Sequence, residues 1–152
     1  PHRIVWAKFL AGTTLVAAAL VPTLAGYFVL HQLGNPVGNI DDGSVLAGYL
    51  GLLLLGAAFV ATGLATSART DSQVVAFLSS ALVCMLMYYG PSALGSYSLF
   101  GAGDHIVQWL GMETHFRSIG TGVVIISDVA WFIAYTFVAL AIAMRHIQPG
   151  RA

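Results

Sequence analysis

The stretch "SVLAGYLGLLLLGAAFVATGLAT", Ser44 to Thr66, runs for twenty-three residues without a charged side chain. Crossing about 30 Å of hydrocarbon takes roughly 20 helical residues, and in lipid the backbone must satisfy its own hydrogen bonds. The run therefore reads as a membrane helix rather than a barrel strand, which would alternate polar and apolar residues. Three more stretches follow the same reasoning: about Phe9–Leu30, Val74–Tyr89 and Ser127–Met144. The third is slightly short unless its polar ends count.

Composition agrees. Of 152 residues, 58% are apolar and 8% charged, against about 25% charged in ordinary soluble domains, and mean hydropathy is +0.84. The fold class expected is all-α integral membrane, a single domain with four transmembrane helices. Six basic and six acidic residues cancel, so neither a basic tract for nucleic acid nor an acidic tail is present. The single cysteine, Cys84, rules out an internal disulfide and a cysteine-based metal motif, and it reads as a packing residue. The chain opens on Pro1 with no recognisable signal peptide, which suggests a piece of a longer protein.

Basic residues set the direction. Arg3 and Lys8 precede the first span, Arg69 separates the second and third, and Arg145 and Arg151 follow the fourth. The loop 31–43 has no Lys or Arg, and the connection 90–126 has only Arg117. Both ends are therefore expected on the cytoplasmic face of an inner membrane. Asp42 or Ser44 is expected to cap the second span, and Thr70 or Asp71 the third. Gly90-Pro91 is expected to end the third span. The connection 90–126 is too long for a simple link and too apolar for disorder. It reads as two short helices in or dipping into the outer leaflet, with Trp109 and Tyr97 as interface anchors. Ala57, Ala61 and Ala65, with Gly56 and Gly63, form a small-residue face suited to close helix contact.

The same connection holds Glu113, His115 and Arg117, with Asp128 just beyond. These types suit a metal site or an acid–base pair, but their spacing matches no metal motif. Topology places them at the outer face, where Asp128 serves as a helix cap and ionised groups reach water at little cost. The five histidines, His2, His31, His105, His115 and His146, fall outside the four spans, which argues against a haem held inside the bundle. No Walker lysine loop or nucleophile elbow occurs.

Particular residues carry a family resemblance. Ala47 to Gly56, "AGYLGLLLLG", with Ser67, Thr70 and Gln73 in the following turn, is similar to the middle of type-2 ABC exporter permeases. The nearest likeness is to the gliding-motility and nitrous-oxide-reductase-maturation permease subunits. Ile4, Val5, Lys8 and Phe9 resemble that family's exit from its coupling helix. His115, Phe116, Gly122, Val123, Asp128 and Val129 resemble its outer His-Phe motif and last span. The chain departs from the pattern at Arg117-Ser118, at Thr121 and at Ser127.

The resemblance implies the last four spans of a six-helix permease that hydrolyses no ATP itself and carries no cofactor. ATP-Mg would sit on a separate cytoplasmic ABC ATPase subunit, with Arg3, Lys8, Arg69 and Thr70 on the coupling side. A second permease subunit, identical or not, would complete the transporter. Trp109, His115, Phe116 and Asp128 would belong to an outer gate, and Ser79, Ser80 and Tyr88 are candidate pathway lining. The alternative is a small membrane redox or metal-binding subunit using His105, Glu113 and His115. A third reading is a purely structural membrane subunit.

Overall fold

The computed structural model describes residues 2–97, 101 and 104–146; Pro1 and Arg151 lie outside them. The described residues fold into helices α1 (His2–Leu20), α2 (Thr23–Leu33), α3 (Asp42–Ser67), α4 (Gln73–Ser96), α5 (Asp104–Trp109), α6 (Met112–Gly120) and α7 (Ile126–His146). Four membrane-length spans result, α1 and α2 together forming the first. The protein is an all-helical, multi-pass membrane protein.

The centre is α3, which packs on α1, α4, α6 and α7. Its 26 residues rise about 39 Å at 1.5 Å each, so it crosses hydrocarbon completely. Small residues let its neighbours in: Ala61 and Ala65 are buried with Val5 and Phe9 of α1 and with Ala139, Leu140 and Ala143 of α7. Against α1 the fit is reciprocal. A Cβ on Gly56 would stand 2.5 Å from Val16 Cγ1, and one on Gly12 would stand 2.6 Å from Val60 Cγ1. Each glycine is the hole for the valine opposite, which realises the close contact that small residues permit. Gly63 faces no described residue within 4 Å and has no part in this seam.

The first span is not one helix over 9–30. It breaks at Val21-Pro22, because Pro22 has no N–H to donate to Ala18 O; nearby, the Thr23 hydroxyl donates to Leu20 O at 2.6 Å. The third span continues past Gly90, with Pro91 inside α4. Proline is tolerated in membrane helices where neighbouring groups re-satisfy the backbone, and the extra turn is held by α5. Gly95 is buried there, and a Cβ on it would collide with Gln108 Cγ. The caps also differ from expectation. Asp41, not Asp42 or Ser44, caps α3, accepting from Gly43 N at 3.1 Å and Ser44 N at 3.3 Å. Asp42 instead accepts a 2.5 Å hydrogen bond from Tyr27 OH. Ser72 holds the N-cap position of α4, and Thr70 accepts from Ser72 N at 3.3 Å.

Connectivity gathers Arg3, Arg69, Thr70 and Arg145 at one end of the bundle, with Lys8 over a turn farther in. There Arg69 meets His146 Nε2 at 3.2 Å, and His2 Nδ1 lies 3.1 Å from Met144 Sδ. This basic end is the one expected to be cytoplasmic.

At the opposite end the chain re-enters. α5 runs back along α4, with Gln108 at Gly95 and Gly111 against Pro91. α6 then climbs along α3, placing Met112 in the cluster of Ala58, Ile119 beside Gly51, and Gly122 over Ser44. Gly122 has φ +90°, a conformation that side chains resist, and a Cβ there would lie 3.1 Å from Ser44 Cα. Gly122→Ala is therefore expected to destabilise the fold by about 1–3 kcal/mol, measured as a lowered melting temperature in detergent.

Candidate functional site

On α6, Met112, His115 and Ile119 are buried while Thr114 and Arg117 are exposed. The buried stripe has the i, i+3, i+7 spacing of one helix face, and His115 lies within it. His115 Nδ1 is 2.8 Å from Asp128 Oδ1, and His115 Nε2 is 2.8 Å from Trp109 O. A carbonyl only accepts, so Nε2 donates to it; the carboxyl oxygen at Nδ1 then requires one further proton between the two atoms. Whichever of the two holds that proton, the pair is neutral as a unit. The imidazole stacks on Trp131 at 4.7 Å and 22°, and Trp109 meets it edge-on at 5.5 Å. Asp128 Oδ2 is buried without a hydrogen-bond partner among the described residues.

The pair sits deep. Thr62 Oγ1 and Tyr135 OH are 3.0 Å apart on helices that run the same way. Going back two turns on each, from Tyr135 to Asp128 and from Thr62 to Leu55, brings Asp128 level with the middle of α3. This corrects the interfacial placement and the capping role expected for Asp128. A turn at Thr121-Gly122 and the non-helical residues 123–125 carry the chain inward before α7 begins, so the start of α7 lies level with mid-span. A lone charge at such depth costs about 2.5–3.5 kcal/mol on insertion scales; a neutral, hydrogen-bonded pair avoids most of that cost.

The other face of α6 is polar. Glu113, Thr114, Arg117, Ser118 and Thr121 join Gln108 of α5 and Ser92 and Ser96 of α4 around an open cleft of about 510 Å³. No ion pair joins Glu113 or Arg117 to another described residue.

The residues expected at an outer gate are brought together in part. Trp109, His115 and Asp128 form one contact set, and Phe116 is adjacent, packed toward Gly51 and Tyr88. Trp109 lies at the inner tip of the re-entrant hairpin rather than at an interface. Of the candidate pathway residues, Ser79 and Ser80 bond back to Ala76 O and Phe77 O in the half of α4 nearer the basic end. Tyr88 packs with Phe59 and Tyr89. Ser92, Ser96 and Gln108 are the polar residues that sequence reasoning passed over; their signal was the polar side of an amphipathic α6 needing polar neighbours. Both His115 nitrogens are engaged, and among the described residues no group of three or more His, Cys, Asp or Glu is placed to hold a metal. Scans against protein-family models, curated proteins and solved structures find no match for this chain.

Proposed function

We propose that the chain is the membrane-spanning permease subunit of an ABC transporter, coupling ATP hydrolysis on a separate cytoplasmic ATPase to export or mechanical work across the inner membrane. The observation that carries the reading is the re-entrant α5–α6 hairpin. The sequence resemblance implies a pair of short helices between the last two spans, and this hairpin occupies that place. Irregular backbone at membrane depth is tolerated only where protein buries it or a water-filled cavity adjoins it, and this hairpin packs against α3 and α4.

The remaining geometry is consistent with an incomplete assembly. The central window of α4 has no buried residue, and α2 likewise has none, which leaves faces for the further spans and second permease subunit of a six-helix transporter. Arg3, Lys8, Arg69 and Thr70 lie toward the end where the ATPase would dock. Closure of two ATPases would rock paired permeases between discrete states.

Purification from native membranes in mild detergent should yield a stoichiometric P-loop ATPase whose turnover depends on this subunit. If no ATPase accompanies the full-length protein, the reading fails.

A further inference from the structure

We propose that the cleft on the polar face of α6 is a water-filled vestibule that binds a dipolar solute, its anionic group at Arg117 and its cationic group at Glu113. The inference deepens the permease reading and rests on it, by assigning the transporter a solute site.

Three observations support it. The first is depth. Gly51 lies beside Ile119, Pro91 beside Gly111, and Gly95 beside Gln108, so the cleft reaches inward alongside the half of α3 farther from the basic end. The second is chemistry. The lining combines a carboxylate, a guanidinium, an amide and several hydroxyls, a set that lipid chains cannot solvate, and intramembrane charges face either the protein interior or water. The third is that the two charges are not spent on each other. Glu113 and Arg117 are one helical turn apart, about 5–6 Å between Cβ atoms, yet no ion pair joins them. Two separated opposite charges recognise a molecule carrying both signs better than a simple anion or cation. Gln108 adds an amide between the charged α6 face and Ser96 of α4, and its side chain is seated in the notch left by Gly95.

The same chemistry could come from a free zwitterion or from the headgroup of a zwitterionic lipid. Single cysteines in a Cys84→Ala background test the site and separate the sources. The sealed vesicles receive a charged, impermeant methanethiosulfonate on the side at which Asn39→Cys, in the loop before α3, reacts. Thr114→Cys should react within about tenfold of Asn39→Cys, and far faster than Leu82→Cys on the bare face of α4. Ser118→Cys provides the same reading if the first variant does not fold.

Glycerophosphoethanolamine at about nine times its dissociation constant should slow modification about tenfold, following 1 + [L]/Kd. Protection by phosphatidylethanolamine in the bilayer, without protection by the soluble headgroup, would assign the lipid source. Arg117→Gln should abolish protection while leaving accessibility intact.

Reaction of Thr114→Cys and Ser118→Cys as slow as Leu82→Cys overturns the vestibule. Protection by inorganic phosphate or ethanolamine alone as strong as by the dipolar probe, or no protection by either dipolar source, overturns the two-point site. The readout needs no ATPase, so its failure is distinguishable from failure of ATPase association.

Discussion

His115→Ala is expected to cost about 3–5 kcal/mol of folding stability, the usual penalty for removing one partner from a buried pair. The change strands Asp128, whose Oδ2 already lacks a partner among the described residues, and frees the Trp109 carbonyl at the hairpin tip. Asp128→Asn should cost far less, within about 1.5 kcal/mol. The asparagine amide can donate to Nδ1 while Nε2–H keeps Trp109 O, so a neutral histidine satisfies both contacts. The double variant His115→Ala/Asp128→Ala should recover part of the single loss, since no charge is left unpaired. Unfolding in mixed micelles would report the energies, and fluorescence of Trp109 and Trp131, which flank the imidazole, would report release of the hairpin. Equal losses for His115→Ala and Asp128→Asn would mean that an amide cannot replace the carboxyl at Nδ1 and that the shared proton is essential to the pair.

The second large effect is expected at the seam between α1 and α3. Gly56→Ala places a methyl 2.5 Å from Val16 Cγ1, and overpacking of this kind costs about 1–3 kcal/mol. Val16→Ala opens the space on the other side. The double variant Gly56→Ala/Val16→Ala should therefore be more stable than the sum of the two single changes, because residues in direct contact are not additive. Additive losses in a double-mutant cycle would show that α1 can shift along α3 to absorb the methyl. Gly63→Ala, with open space beside it, is the matched control and should be near neutral.

Much of the fold was legible because lipid imposes a simple rule on the backbone. Long apolar runs must be helices, so the Ser44–Thr66 stretch identified α3, and the apolar but segmented connection before α7 was readable as short helices. Boundaries fared worse where proline was concerned. Pro22 was overlooked inside a run whose average hydropathy hid it, whereas Pro91 was over-read as a terminator when packing of Gly95 against Gln108 carries α4 onward.

The site was half legible. The residue types in the 111–131 segment stood out in a chain with few charges, and the Met112, His115, Ile119 spacing could have separated the buried face of α6 from its polar one. Depth was hidden. "GVVII", Gly122 to Ile126, reads equally well as the first turn of a helix or as an extended descent, and only the register against α3 tells which. That choice moved Asp128 from an expected surface cap to the middle of the bundle.

The breaks in the helices have a mechanical consequence. α1 gives way to α2 at Val21-Pro22, α4 ends at Ser96, the hairpin turns at Gly111, and α7 starts at Ile126, all around the middle or outer middle of α3. The half of the molecule toward the basic end is a block of continuous helices, and α3 alone among the described helices continues unbroken from that block through the other half. Force arriving from the basic end would travel through that block as a rigid body and be spent in bending short jointed pieces against a single mast. Compliance is thus concentrated beyond one plane, and amide exchange should rise sharply on crossing it in every element except α3.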